Sequence, residues 1–157
     1  MPELTLIQNN PHPHGVYGHH VHVPLRVDRI TLAKRRWRGT ALDGKEFGFD
    51  LKEPINPGAH FYNVGENHYV IEQEPEEVLE IPVKTLEQAA RVAWSLGNLH
   101  FAVQVLASSV RVTEDPAVLQ LLAREGIAFS RVTCVFEPLT AGGGHHHDHD
   151  HGHHHHG

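Results

Sequence analysis

The order of strand and helix patterns in residues 76–136 limits the fold of this chain more than any other feature of its sequence. A strand pattern opens the segment, and Thr85 then caps a helix that has one apolar stripe and ends at Gly97. Two strand patterns follow, then a helix that Asp115 caps and Gly126 ends, and a last strand. The strand patterns cover residues 76–83, 99–107, 110–113 and 128–136. This β-α-β-β-α-β order predicts a ferredoxin-like domain, with a four-stranded antiparallel sheet and both helices on one face.

Residues 1–75 carry strand patterns and no helical period of useful length. Apolar residues alternate with polar residues or proline at Val21, Val23, Leu25 and Val27. Asp43-Gly44 predicts a two-residue hairpin turn, and Gly65-Glu66-Asn67 predicts a second turn. Glu74-Pro75 predicts the boundary between this unit and the next domain. We therefore predict an α+β chain with a small all-β domain (1–75), a ferredoxin-like domain (76–140) and a disordered His-rich tail (141–157).

Charge and composition narrow the class of protein and its partners. The net charge is −6 with His neutral, which argues against nucleic acid as a partner. The single cysteine, Cys134, cannot form a disulfide within the chain and so fits a reducing compartment. No apolar run approaches the roughly 20 residues of a membrane span, and the N-terminus lacks the pattern of a signal peptide. We expect a cytoplasmic protein with no membrane partner.

The end of the chain, "GGGHHHDHDHGHHHHG", predicts a metal-binding tail. Its nine histidines are His145, His146, His147, His149, His151, His153, His154, His155 and His156. Neutral imidazole suits nickel, zinc and copper, and closely spaced His with interleaved Asp supplies several donors without a fixed fold. The alternative is a purification tag, but a tag is usually unbroken, whereas Asp148, Asp150 and Gly152 interrupt this run. The tail has no apolar residue, so we predict that it is disordered without a ligand.

His100 is the second candidate metal ligand. The strand predicted at residues 99–107 places His100, Ala102 and Gln104 on the open face of the sheet. One His cannot hold a divalent ion, but a symmetric dimer meeting on this face would bring two copies together. The alternative is an ordinary surface histidine.

Other histidines are weaker candidates, and no motif indicates catalysis. An N-terminal group could add metal sites or could reflect loop composition alone: His12, His14, His19, His20 and His22. His60 and His68 lie in the second predicted hairpin, where we expect ordinary surface or cross-strand residues. The chain has no phosphate-binding glycine loop, nucleophile elbow or Cys-x-x-Cys pair, so we do not expect an enzyme.

Two segments and the tail resemble the family of urease accessory metallochaperones that deliver nickel. The segments are "EEVLEIPVKTLEQAARVAWSLGNLH" and "VLQLLAREGIAFSRVTCVFEP". The resemblance implies a peptide-binding N-terminal domain and a homodimer with a nickel site at its interface. His100 would form that site, and tail histidines would complete it. It also implies transfer of Ni²⁺ to the urease accessory GTPase and on to the urease apoprotein. Many family members carry His in the turn before the second helix, where this chain has "VRVTEDP".

Three functions remain open from the sequence. The first is a nickel-delivery chaperone for urease. The second is a nickel store or buffer in which the tail acts as a sink. The third is a peptide-binding folding module whose tail is incidental. Removing the tail separates the first two, because a chaperone should keep its interface site whereas a buffer should lose its function.

Overall fold

The computed structural model describes residues 3–11 and 21–140, which form ten strands and three helices. The strands are β1 (Thr5–Ile7), β2 (Val21–Val27), β3 (Arg36–Thr40), β4 (Glu46–Asp50), β5 (His60–Val64), β6 (Asn67–Gln73), β7 (Glu76–Pro82), β8 (Gln104–Val105), β9 (Ser109–Val112) and β10 (Ser130–Cys134). The helices are α1 (Arg29–Leu32), α2 (Leu86–Asn98) and α3 (Pro116–Glu125). In this part of the chain, no helix is long and apolar enough to cross a membrane.

The described residues fall into two compact units. The first contains the described residues up to Val78 together with residues 131–136, and the second contains residues 79–130 and 137–140. The boundary predicted at Glu74-Pro75 lies three residues before Val78.

The first unit contains two three-stranded sheets, with strand orders β1-β4-β3 and β2-β6-β5. Strand β2 runs parallel to β6 and places Val23, Leu25 and Val27 in a core shared with Phe47 and other apolar residues. The predicted strand at 21–27 is thus confirmed. The prediction of an all-β unit is wrong, because the unit also contains the short helix α1. Asp28 caps the start of this helix: its carboxylate accepts a hydrogen bond from the Thr31 N–H at 2.9 Å. A helix of four residues is too short to show a helical period.

Both predicted hairpins form, but each turn differs from its predicted length by one residue. In the β3–β4 hairpin, the Ala41 N–H donates to the Lys45 carbonyl and the Gly44 N–H donates to the Ala41 carbonyl. The loop therefore has three residues, with Gly44 at φ 91°, where glycine avoids a steric penalty. In the β5–β6 hairpin, Val64 pairs with Asn67, so the turn contains only Gly65 and Glu66.

A buried tyrosine ties this loop to the neighbouring sheet. The Tyr69 hydroxyl donates to the Asp43 carboxylate at 2.6 Å, and Tyr69 is 3% exposed. This bond is the largest cause that lowers the pKa of Asp43, and it raises the pKa of Tyr69 to about 12, with burial adding to the rise. The depressed carboxyl pKa gives stability above the unfolded value of about 3.9, which is lost as pH falls through the folded value. The raised phenol pKa gives stability below about 10, which is lost as pH rises toward 12.

We expect Tyr69→Phe to lower the free energy of unfolding by about 1 kcal/mol at neutral pH, less than the roughly 1.5–3 kcal/mol of a bond to a charged group because Asp43 is exposed. The loss should shrink at acid pH, as the pH falls through the lowered pKa of the Asp43 carboxyl group and this group gains its proton. Urea denaturation at both pH values measures it. Tyr62→Phe is the control, since among the described residues Tyr62 has no hydrogen bond to a carboxylate. An equal loss at both pH values would contradict the role of the Asp43 charge.

Residues 76–134 have the predicted β-α-β-β-α-β order. Their sheet has the strand order β10-β7-β9-β8, and β9 is antiparallel to both β7 and β8. The predicted caps are confirmed: the Thr85 hydroxyl accepts from the Gln88 N–H, and the Asp115 carboxylate accepts from the Ala117 N–H. Leu96 is fully buried in the core of the second unit. The apolar stripe that the spacing predicts for α2 is confirmed at Ala89, Ala93 and Leu96, which pack in this core, and is wrong at Leu86 and Ala90, which are exposed.

Candidate metal-binding residues

His100 lies at the C-terminal end of α2 and not in a strand. The predicted strand at residues 99–107 is confirmed only at Gln104–Val105, which form β8, and is wrong for its first five and last two residues, because α2 continues to Asn98. The chain turns between these elements: the His100 N–H donates to the Gly97 carbonyl at 2.9 Å and the Phe101 N–H to the Leu96 carbonyl at 3.2 Å. These two bonds form a Schellman motif with His100 at its left-handed position, φ 67°.

The end of α3 has the same hydrogen-bond pattern but a different residue at the left-handed position. Gly126, at φ 64°, donates to the Ala123 carbonyl, and Ile127 donates to the Leu122 carbonyl. Glycine adopts this conformation without a steric penalty, whereas a residue with a Cβ costs roughly 1–2 kcal/mol. His100 is the only residue other than glycine with positive φ in the described chain. A histidine thus occupies a position where backbone energetics favour glycine, which is typical of a functional residue.

The surroundings of His100 favour a cation. The residue is exposed, and the C-terminal end of a helix carries a partial negative charge. The last turn of α2 has no basic residue that would occupy this end. Within residues 3–11 and 21–140, no group of three His, Cys, Asp or Glu side chains stands ready to hold an ion. His100 therefore offers one donor, and further donors must come from elsewhere.

The outer face of α2 carries exposed apolar side chains beside this position. Leu86 is 87% exposed and Trp94 is 69% exposed. Ala90 is exposed between them, and a Cβ added at Gly97 would meet no atom within 4 Å. At 3.6 residues per turn these four positions share one side of the helix. We call this surface the α2 outer face. An exposed tryptophan on such a face indicates contact with another molecule.

Three histidines of the first unit lie together, two of which we predicted to be ordinary hairpin residues. The His22 and His60 rings are 5.0 Å apart between centroids, and His68 lies 6.3 Å from His22 and 6.1 Å from His60. Of the two predicted alternatives, the cross-strand position is confirmed for His68, which pairs with His22 and Asn63, and the surface position is not, since His68 is 5% exposed. Burial, and then the electrostatic interaction with His22, lowers the pKa of His60. The pairing of β2 with β6 brings these residues together, and the hairpin pattern alone does not reveal it.

The remaining predicted ligands lie outside the described residues. They are His12, His14, His19 and His20 near the N-terminus and the nine histidines of the tail. The predicted disorder of the tail also concerns residues outside the described part of the chain, so these stay predictions.

Comparison with known proteins identifies the family. Residues 76–157 match the family described as UreE urease accessory protein, C-terminal domain. The chain is 30% identical to the urease accessory protein UreE of Ralstonia nicotianae over 90% of this chain and 70% of that protein. It is 34% identical to the same-named protein of Deinococcus radiodurans (78% of this chain, 79% of that protein) and 33% identical to that of Corynebacterium efficiens (74% and 80%).

The matched family covers more than half of the chain, including α2, His100 and the tail. The curated relatives extend the similarity into the first unit. The family consists of urease accessory proteins, which assist the enzyme urease. The chain therefore belongs to the UreE family of urease accessory proteins.

Proposed function

We propose that this protein is a nickel-binding metallochaperone that delivers Ni²⁺ for assembly of the urease metallocentre. The observation that carries the proposal is the exposed His100, held at φ 67° at the cation-favouring end of α2. Membership in a family of urease accessory proteins supports nickel as the cargo. Imidazole is a suitable ligand for nickel, and also for Zn²⁺ or Cu²⁺, which we expect to compete for the same donors.

The working form is a homodimer with the nickel site at its interface. Two copies that meet at the α2 outer face bury Leu86 and Trp94, which are exposed in a single chain. In a two-fold dimer each His100 has a symmetric counterpart, so the interface supplies two imidazoles. Tail histidines of either chain can complete or extend this coordination. The helix ends contribute negative electrostatic potential at the same place.

The tail gathers ions and passes them to the interface site. Its nine histidines bind divalent ions without thiolates, so exchange is not blocked by a closed cysteine cage. Residues 76–140 form the metal-binding domain in this proposal, and residues 141–157 form the metal reservoir. The urease accessory GTPase and the urease apoprotein with its accessory complex receive the metal, and transfer takes place in the cytoplasm.

The N-terminal domain, residues 1–75, binds a peptide or protein partner in this proposal. A shallow groove on the β1-β4-β3 sheet supports this role. Exposed Leu4 and Leu6 lie along it beside Arg38, and Arg36 pairs with Asp50 of the same groove at 2.8 Å. Apolar and cationic side chains in one groove suit a partner segment with apolar and acidic residues.

Nickel titration of the chain with and without residues 142–157 tests the proposal. We expect the shortened chain to bind fewer ions per dimer, to keep one interface ion and to retain much of its ability to activate urease. The nine tail histidines favour a second function, a nickel store, which predicts that activation falls together with total capacity. If neither the tail nor His100 affected urease nickel content, the chain would instead act as a peptide-binding module.

A further inference from the structure

His22, His60 and His68 lie on three neighbouring strands of the β2-β6-β5 sheet. The register pairs His22 with His68, and it pairs His60 with Val70, two residues further along β6. Paired residues point to the same side of a sheet, and so do residues two apart on one strand. The three imidazoles therefore share a side, opposite the core residues Val23 and Tyr69. We call them the histidine cluster.

The histidine cluster runs from the protein interior to the solvent. His68 is 5% exposed although it lies on the side of the sheet that faces away from the core, His60 is half-buried and His22 is exposed. An ion could therefore enter at His22 and bind to His60 and His68, whose positions are set by the strands that carry them. Donors on adjacent strands of a sheet are held more precisely than donors on loops.

We propose that the histidine cluster is a zinc site, separate from His100. Three imidazoles with an open fourth position are a common zinc arrangement. With Zn–N bonds of about 2.0–2.1 Å in tetrahedral geometry, ligating rings have centroids about 5 Å apart. The His22–His60 separation is already 5.0 Å, and the separations of 6.1 Å and 6.3 Å to His68 must close by about 1 Å. No three described donors yet converge on one point, so ion binding requires rotation of these side chains.

The charged residues beside the cluster pair with each other. Arg26 and Glu72 lie on this side of the sheet and form an ion pair at 3.2 Å. Metal binding requires neutral imidazole, so protons compete with the ion for each ring nitrogen. The site belongs to the first unit, whereas the proposed nickel function uses the second.

The test uses the full-length chain with its other strong metal donors removed. In this background the nine tail histidines are replaced by serine and His100 by glycine. Zn²⁺ titration against a chromophoric chelator should find one ion per chain. His22→Ala and His60→Ala should each weaken that binding by about 100-fold or more, because each removes a direct ligand. Asn63→Ala is the matched control, because Asn63 is exposed on β5 and pairs with His68 but is not a proposed ligand, and it should bind Zn²⁺ like the background.

The exposed position of His22 keeps the test independent of folding. Near-ultraviolet circular dichroism without metal should show that His22→Ala retains the packing around Trp37 and Tyr69. His68→Ala is not used, because it removes a buried side chain and could change the fold. Absence of a one-to-one Zn²⁺ complex in the background would overturn the proposal. Unchanged Zn²⁺ affinity in His22→Ala would also overturn it, as would equal weakening in Asn63→Ala. Loss of nickel delivery by itself does not affect this result, since the background lacks His100 and the tail histidines.

Discussion

Replacing His100 with glycine should abolish the proposed interface nickel site while leaving the fold at least as stable as before. The variant removes the imidazole, and it also relieves the left-handed strain at φ 67°. Relief of that strain is worth roughly 1–2 kcal/mol, and the greater freedom of glycine in the unfolded chain offsets part of it. We expect the free energy of unfolding to stay constant or to rise by up to about 1 kcal/mol.

Nickel binding should be measured in full-length chains whose nine tail histidines are replaced by serine, so that the interface ion is seen alone. We expect at least a 100-fold loss of affinity in His100→Gly, because both imidazoles of the dimer disappear together. Activation of urease should fall with it. The usual substitution, His100→Ala, is less informative because alanine keeps the backbone strain and so changes binding without a gain in stability.

The end of α3 provides the matched control. Gly126→Ala introduces a Cβ at φ 64°, the same backbone conformation in the same hydrogen-bond motif. We expect a loss of about 1 kcal/mol in stability with unchanged nickel affinity. His100→Gly should therefore lose nickel affinity and keep its stability, whereas Gly126→Ala should lose stability and keep its nickel affinity. If His100→Gly kept the interface ion, or if Gly126→Ala removed it, His100 would not be a ligand.

The sequence is sufficient to predict the helices of the second unit because the residues that cap the start of each helix are its neighbours in the chain. Thr85 and Asp115 accept hydrogen bonds within three residues of their own position, so the signal and the structure lie in one short window. The end of α2 was not predictable in the same way. Leu99, Phe101, Val103 and Val105 alternate as in a strand, and Gly97 offers an obvious stop. The helix instead uses Gly97 as an interior residue and turns at His100.

Long-range pairing explains why the histidine cluster was not predicted. Strands β2 and β6 are parallel and are separated by four other elements along the chain, so nothing local indicates that His22 lies opposite His68. The alternation of each strand predicts which side a residue faces but not which strand becomes its neighbour. Burial of His68 depends on that choice of neighbours.

A charge at Trp94 should separate the two protomers and thereby remove the nickel site without changing His100. In a single chain Trp94 is 69% exposed on the α2 outer face, and a large aromatic side chain at the centre of an interface is a frequent source of binding energy. Trp94→Glu should weaken the proposed dimer by about 30-fold or more, since it loses apolar contact and places two carboxylates near the two-fold axis. Sedimentation velocity across a dilution series measures the dimer, and nickel titration of the tail-serine chain measures the site.

Leu42→Glu is the control for Trp94→Glu, because Leu42 is also 69% exposed but lies in the β3–β4 loop of the first unit. It adds the same charge and should leave both the dimer and the nickel affinity unchanged. His100→Gly and Trp94→Glu then differ in a way that tests the whole proposal. The first should lose nickel and keep the dimer, whereas the second should lose both. If Trp94→Glu remained dimeric with full nickel affinity, the α2 outer face would not be the interface, and two copies of His100 would need another surface to meet.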